Sequence, residues 1–388
     1  MWSESSRPGY TAEFSKKMTK MSCIILIVAA LWQFHGGAQA QGGDFGFSKP
    51  AFFIFGDSLV DPGNNNYIAS ISRADWRPYG VDFGPSGFRP TGRFTNGRTL
   101  SDIIGQELGQ DMLPQPYLAP TTHGQALLNG VNYASGAGGI LDSSGAIFLA
   151  RLSFDTQINY FENTKLELIS MLGEDMAMQF LNRSMFPIVF GSNDYLDNYL
   201  LPFSQTKAQY SPQDYEELLI THYGNQINRL YNLGARKFMV SGIGPIGCIP
   251  SQLSNAGSVD GACIAATNEL VVSFNTRLKD LIHDLNSNLP MAAIVYLNTY
   301  DVASNVMQNH QQYGLIDINT ACCGSGGKFK GMITCIPNSP YCGEDRHKYL
   351  FFDAYHPTEA ANLIFAARFL DGGPNDAFPI NIRQLIAL

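Results

Sequence analysis

The sequence has few charged residues and no run of basic ones. Of its 388 residues, 15% are charged and 45% are hydrophobic, and 33 acidic residues outnumber 25 basic ones. Proteins that bind nucleic acids usually carry a basic stripe that neutralises phosphates, so we expect no nucleic-acid partner. The apolar content excludes a disordered chain, because disordered chains have too little apolar surface to bury. The 38 glycines and 20 prolines argue against a helical bundle.

Long apolar runs are also scarce. The run Cys23–Trp32 has ten residues, about half of what a helix needs to span a bilayer. Three lysines between positions 16 and 20 precede it, and Ala38-Gln39-Ala40 follows it. A basic flank, a short apolar core and a small-residue cleavage site are typical of a secretory signal peptide. We therefore interpret residues 1–40 as a signal peptide and not as a membrane anchor.

The mature chain is then predicted to be residues 41–388, folded as a single domain. The basic leader is long for a signal peptide, so translation starting at Met18 or Met21 stays an alternative. Removal of residues 1–40 takes away four bases and two acids, which leaves 21 bases and 31 acids and a net charge of −10. No later stretch is long and apolar enough for a membrane span. These features predict a secreted protein of the extracellular space or cell wall.

The cysteines lack the C-x₂-C spacing that zinc sites favour, so disulfides are the better interpretation. An even number of cysteines in a secreted chain predicts disulfides. Their clustering predicts one bridge within the first pair and two bridges among the last four, in an order that the spacing leaves open. The six cysteines of the mature chain are Cys248, Cys263, Cys322, Cys323, Cys335 and Cys342. The sequon Asn182-Arg183-Ser184 predicts a glycan on Asn182.

Short apolar runs alternate with helical patterns along the mature chain. Such alternation predicts a parallel sheet that is covered by helices on both faces. Ser211-Pro212 and Gly234 are typical of the two ends of a helix, and a second helix is predicted from about Thr267 to Asn286. A last helix is predicted after His356-Pro357. The predicted strands are 51–55, 130–134, 186–190, 237–241 and 292–297.

No G-x-S-x-G motif occurs, which excludes the nucleophile elbow of α/β-hydrolases. Instead, polar or glycine-rich clusters follow the apolar runs, where ligands bind in α/β sheets. Together they offer a hydroxyl, an imidazole with a nearby carboxylate, and hydrogen-bond donors, which is the set of groups that acyl transfer requires. The clusters are Gly56-Asp57-Ser58-Leu59, Ser135-Gly136-Ala137-Gly138-Gly139, Gly191-Ser192-Asn193-Asp194 and Asp353-Ala354-Tyr355-His356-Pro357.

These clusters resemble the sequence blocks of plant GDSL-type esterases and lipases, in the SGNH hydrolase superfamily. The first block is Phe55–Asn65, and the others follow in the same order as in that family, over roughly residues 50–370. The resemblance implies a three-layer α/β/α, flavodoxin-like fold with a central parallel sheet. It also implies a serine hydrolase that needs no metal or cofactor.

The resemblance assigns a role to five residues. Ser58 would be the nucleophile, His356 the general base and Asp353 the residue that orients it. The N–H groups of Ser58 and Gly136 and the side-chain amide of Asn193 would form the oxyanion hole. The spacing of Asp353 and His356 agrees, because residues three apart can meet within one turn.

Each of these residues also has a structural interpretation. A serine after a strand often caps a helix, a glycine such as Gly136 often forms a turn, and Asn193 or Asp353 is common in turns and caps. It is their occurrence together at successive strand ends that favours catalysis. Of the other histidines, His222 is predicted to be a packed or half-buried residue of its helix.

The sequence predicts a secreted esterase or lipase that acts on lipid or acylated cell-wall substrates through an acyl-enzyme on Ser58. One alternative is an extracellular acyltransferase with the same catalytic residues, since access of water and of the acceptor decides between the two. The other is a non-catalytic protein that binds a wall ligand in the same cleft.

Overall fold

A seven-stranded sheet forms the centre of the protein in the computed structural model, which describes residues 49–388. The strands are β1 Phe52–Gly56, β2 Gln115–Pro116, β3 Gly130–Asn132, β4 Met185–Val189, β5 Lys237–Ser241, β6 Ala293–Leu297 and β7 Ala377–Phe378. They lie in the order β2-β3-β1-β4-β5-β6-β7. All neighbouring strands are parallel except β6 and β7, which are antiparallel. The antiparallel edge strand is the one departure from the predicted parallel sheet.

The five predicted strands are all present, and their ends differ from the prediction by at most two residues. Strands β1 and β4 are apolar and buried along their whole length, as expected for inner strands of a parallel sheet, and most residues of β3, β5 and β6 are buried too. Strands β2 and β7 were not predicted. Each has only two residues, which is too short to show a hydrophobic pattern.

Helices cover both faces of the sheet and give the predicted three-layer α/β/α fold. They are α1 Leu100–Glu107, α2 Phe154–Leu172, α3 Glu174–Arg183, α4 Ser192–Asp194, α5 Gln205–Gln209, α6 Pro212–Leu233, α7 Pro250–Asn255, α8 Ala265–Asn288, α9 Thr299–Gln308, α10 Glu359–Asp371 and α11 Ile382–Ile386. One layer contains α2, α3, α6 and α8, and the other contains α1, α9, α10 and α11. Alternate residues of β1 face opposite layers: Phe53 packs on Phe161 of α2, while Ile54 joins the cluster around Ile103 of α1.

Helix α6 begins and ends where the sequence predicted. The Ser211 hydroxyl accepts a hydrogen bond from the Asp214 N–H, and Gly234 adopts a φ of 116° at the other end. The prediction for His222 was wrong, because its side chain is exposed. The buried face of α6 runs through residues such as Leu219 and Tyr223 and leaves His222 outside.

Three disulfides are present, as predicted. One joins Cys248 to Cys263. The structure settles the open pairing of the other four cysteines, since Cys322 is bonded to Cys342 and Cys323 to Cys335. Both bridges lie in the glycine-rich segment that precedes Asp353 in the chain.

The predicted signal peptide, residues 1–40, lies outside the described residues. From residue 49 onward, no helix has the length and apolar character needed to cross a membrane. Asn182 lies near the end of helix α3 and is half-buried, and its Oδ1 atom is shielded from solvent. Its glycosylation stays a prediction.

Candidate active site

Three of the predicted catalytic side chains meet at the carboxyl end of the sheet. Ser58 follows β1 by two residues, and its Oγ lies 2.7 Å from Nε2 of His356. The other ring nitrogen of His356, Nδ1, lies 2.8 Å from each carboxylate oxygen of Asp353. Ser58 and His356 are 298 positions apart in the sequence. The contact therefore depends on the fold of the whole sheet between them.

Asp353 is buried and accepts hydrogen bonds from several groups. The backbone N–H groups of Tyr355 and His356 donate to it at 2.8 Å, and the Tyr79 hydroxyl donates at 2.6 Å. Burial raises the pKa of Asp353, but the charge of His356 and these hydrogen bonds outweigh that effect and lower it below 3.8. The ionised carboxylate favours a proton on Nδ1, which leaves Nε2 free to accept the Ser58 proton. Nothing in the sequence pointed to Tyr79.

Two of the three residues predicted to stabilise the oxyanion, Ser58 and Asn193, line a cavity that His356 also lines. The Ser58 N–H has no acceptor among residues 49–388. The Asn193 side chain lines the cavity, and its amide nitrogen donates one hydrogen bond, at 2.8 Å, to the Gly138 carbonyl. An amide nitrogen has two N–H donors, so one stays available for a substrate.

The third predicted donor, Gly136, does not present its N–H to the cavity. That N–H donates to the buried Asp61 carboxylate at 2.9 Å, and the Gly136 carbonyl accepts from the Asn65 side chain. The next residue, Ala137, lines the cavity instead. Its φ is 66°, and its N–H has no acceptor in the described part of the chain. The predicted oxyanion role of the Gly136 N–H therefore does not fit this structure, and Ala137 is the neighbouring residue at the cavity.

The segment after Ser58 holds these loops in place, a role that the sequence did not predict. One oxygen of Asp61 accepts from the N–H groups of Gly63 and Asn64, both at 2.7 Å. The Asn64 side chain donates to the carbonyls of Asn132, the last residue of β3, and of Ala134, which follows that strand. These bonds tie the Ser58 loop to the loop that carries Ala137.

Two other aspartates near the site form hydrogen bonds within the loops. Asp194 accepts from the backbone N–H groups of residues 140–141 and, at 2.6 Å, from the Ser144 hydroxyl. Asp57 accepts from the Leu59 N–H at 2.9 Å. These contacts brace the loops in which the two residues lie.

A cavity of about 220 Å³ opens beside Ser58 and His356. Most of its wall is apolar, so it suits the hydrocarbon part of a substrate. The apolar wall includes Leu59, Trp76, Phe94, Ile246, Phe351 and Phe365.

His356 is the histidine that lines this cavity. His310 and His347 instead contact backbone carbonyls of their own loops. From residue 49 to the C-terminal residue, no three His, Cys, Asp or Glu side chains are grouped so that they would hold a metal ion.

Two carboxyl groups that line the cavity, Asp57 and Asp197, have raised pKa values. The pKa of Asp57 and the pKa of Asp197 each rise from 3.8 to about 7. Burial is the main cause, and the nearby charge of Asp194 raises both values further, while the charge of His356 lowers them. Between about pH 4 and pH 7 the folded protein therefore keeps protons that the unfolded chain has lost.

We expect the free energy of unfolding to fall as the pH rises from about 4 to about 7, and then to level off. A carboxyl group whose pKa is raised by folding stabilises the folded state at low pH, by about 1.4 kcal/mol per unit of pKa difference. Asp197→Asn should flatten this slope, because asparagine does not titrate. Urea unfolding of both proteins across this pH range is the measurement. Stability that increases over the range, or an unchanged slope in the variant, would contradict the prediction.

Comparison with known proteins assigns the chain to a family. The sequence profile of the GDSL-like Lipase/Acylhydrolase family matches residues 52–369. The chain belongs to this family. Membership makes the protein an ester-bond hydrolase, as the resemblance of its sequence blocks predicted.

Several GDSL esterases/lipases of Arabidopsis thaliana are similar to the chain over most of its length. One is 48% identical over 339 residues, which cover 86% of this chain and 90% of the relative. GDSL esterase/lipase 7 is 45% identical over 370 residues, which cover 94% of this chain and 98% of the relative.

Reducing the disulfides should lower the esterase activity of this GDSL family member before its sheet unfolds. The Cys323 N–H donates to the Phe352 carbonyl at 2.6 Å, and the Phe352 N–H donates to the His356 carbonyl at 2.8 Å. The Cys323–Cys335 bridge thus supports the loop that carries His356. Loss of a native disulfide typically costs about 2–5 kcal/mol in a small secreted domain.

The measurement is a titration with dithiothreitol in which esterase activity, far-UV circular dichroism and free thiols are followed together. Cys323→Ser combined with Cys335→Ser should reproduce the loss of activity without reductant. Six free thiols in the untreated protein, or full activity after all bridges are reduced, would contradict the prediction.

Proposed function

We propose that the protein is a secreted serine esterase or lipase that hydrolyses carboxylic esters of lipids or of acylated cell-wall material. The observation that carries this proposal is the chain of hydrogen bonds from Ser58 through His356 to Asp353 at the cavity. A hydroxyl, a base and an orienting carboxylate in contact are the groups that a serine hydrolase needs. The largely apolar cavity beside them supports an acyl substrate.

In the first half of the proposed reaction, Ser58 Oγ attacks the ester carbonyl carbon while His356 Nε2 takes the hydroxyl proton. The carbonyl oxygen becomes an oxyanion, which the N–H groups of Ser58 and Ala137 and the Asn193 amide stabilise. The bond to the alcohol oxygen then breaks, and His356 gives its proton to that oxygen. The products are the free alcohol and an acyl ester on Ser58.

In the second half, water attacks the acyl carbon and His356 accepts one of its protons. The oxyanion forms again beside the same donors, and the bond to Ser58 Oγ breaks as His356 returns the proton to it. The carboxylic acid leaves and the enzyme is restored. Asp353 keeps the His356 ring oriented throughout and stabilises its charged form.

We further propose that residues 41–388 form the mature protein as one catalytic domain outside the cell. The three disulfides support this, because such bonds persist in oxidising compartments. The basic and apolar leader before Ala40 supports it as well.

The test of the function uses two measurements on the purified protein. A fluorophosphonate probe should label the protein once, and peptide mapping should find the label on Ser58. Hydrolysis of p-nitrophenyl esters of increasing chain length should then show which acyl chains the cavity accepts. A label on another serine would overturn the assignment of the nucleophile.

The same assay with added glycerol separates hydrolysis from acyl transfer. For an esterase, the free acid stays the main product when glycerol is present. An acyl-glycerol as the main product would instead identify an acyltransferase that uses the same residues.

A further inference from the structure

Exposed apolar side chains lie at the cavity and next to residues that line it. Ile71 is 63% exposed and Leu149 is 61% exposed, with Ile147 at 51% and Ile336 at 48%. Large side chains of this kind are usually scattered singly on a protein surface, whereas a contiguous group marks an interaction site. We call the group the apolar rim: Ile71, Ile147, Phe148, Leu149 and Ile336.

Backbone contacts show that members of the apolar rim lie beside one another and beside the cavity. The Ile71 N–H donates to the Phe148 carbonyl at 3.1 Å, and Ser70 pairs with Leu149 in an antiparallel bridge. Ile71, Phe148 and Ile336 also line the cavity itself. The rim is therefore continuous with the wall of the site that holds Ser58.

Leu149 adopts an unfavourable backbone conformation at this position. Its φ is 69°, a value that favours glycine or asparagine over a leucine. The backbone at Leu149 is strained, and because the side chain is largely exposed, its burial contributes little free energy to offset that strain. Strain of this kind is found where a residue serves binding or catalysis.

The charges near the rim favour an uncharged partner. Arg73 forms an ion pair with Asp75, which offsets its charge, whereas Arg151 donates to the backbone carbonyls of Asp142 and Ser144 and keeps its positive charge. The chain as a whole has a net charge of −8. Anionic membrane surfaces attract patches of several basic residues. The apolar rim has no such patch among these neighbours, so its surroundings do not favour an anionic membrane.

We propose that the apolar rim seats the protein on the surface of an uncharged lipid aggregate, so that ester molecules enter the cavity directly from that surface. The proposal rests on the proposed function for the use of the site, but binding to the aggregate does not depend on catalysis. Burial of the rim side chains in the lipid supplies the attraction, and the position of the rim at the mouth turns the cavity toward the substrate.

The test measures binding with the Ser58→Ala protein, which keeps the apolar rim and does not consume the lipid. Triolein droplets coated with phosphatidylcholine are mixed with the protein and floated by centrifugation, and the bound fraction is measured. Ile147→Ser together with Leu149→Ser should weaken partitioning about tenfold or more, since two half-exposed apolar side chains are lost. Neither residue lines the cavity.

The matched control is Leu166→Ser, which changes an equally exposed leucine on helix α2. It should change partitioning less than twofold. With Ser58 restored, the rim variant should hydrolyse soluble p-nitrophenyl acetate at the normal rate and lose activity on a tributyrin emulsion.

Several outcomes would overturn the proposal. These are no flotation of the parent protein, equal flotation of the rim and control variants, or a dimer in solution that the rim substitutions dissociate. The last result would mean that a second copy of the chain covers the rim. Flotation that depends on the rim, in a protein that hydrolyses no soluble ester, would leave this proposal standing and remove the proposed function.

Discussion

Replacing Ser58 with alanine should abolish ester hydrolysis, with kcat lower by about 10⁴- to 10⁶-fold. The variant keeps the cavity and the oxyanion donors but has no oxygen to attack the ester. His356→Ala should cost nearly as much, because nucleophile and base act as a unit. The double variant should therefore be little slower than either single one. Turnover of p-nitrophenyl butyrate measures all three.

The fold should survive these changes, since the hydrogen bond of the Ser58 side chain is to His356. Thermal unfolding followed by circular dichroism checks this. Ser170→Ala, on the exposed side of helix α2, is the matched control and should keep full activity. An active Ser58→Ala protein would show that the hydrolysis uses another nucleophile, and additive losses in the double variant would show that Ser58 and His356 do not act as a unit.

Asn193→Ala should lower kcat by about 10²- to 10³-fold and leave KM nearly unchanged. Asn193 lines the same cavity as Ser58, and in the proposed reaction its second amide N–H stabilises the negative charge that develops in the transition state. A donor that acts on the transition state affects kcat more than it affects binding of the substrate.

The control for Asn193→Ala is its reaction with the fluorophosphonate probe. Ser58 and His356 stay in contact in this variant, so the probe should still label Ser58, only more slowly. A raised KM with normal kcat would assign Asn193 to ground-state binding instead. Complete loss of labelling together with a lower melting temperature would show that its bond to the Gly138 carbonyl holds the loop.

Local sequence patterns predicted the inner strands and the capped helix α6, because burial on both faces and capping by Ser211 act over a few residues. Local sequence patterns failed to predict elements of only two residues and features that depend on contacts between residues far apart in the sequence. Strand β7 has two residues, and its antiparallel pairing is set by the path of the chain around α10. His222 has apolar neighbours in sequence, but its own direction on the helix points it to solvent.

In the candidate site, too, the sequence predicted the residues that follow a strand and missed those positioned by distant contacts. Ser58 and Asn193 follow predicted strands, so the sequence could predict that both lie at the carboxyl end of the sheet. The shift from Gly136 to Ala137 could not be predicted, since it follows from a bond to Asp61, 75 positions away. The contact of Tyr79 with Asp353 spans 274 positions and has no local signal in the sequence.

The separation of Ser58 and His356 by 298 positions also determines when the protein becomes reactive during its synthesis. Ribosomes add roughly 5–20 residues per second, so the serine waits roughly 15–60 s before its histidine has been made. Throughout that interval the nascent chain has a serine hydroxyl with no base to activate it. Under the proposed function, incomplete chains that stop before His356 therefore have no activated nucleophile, and hydrolysis begins only after almost the whole chain has been made.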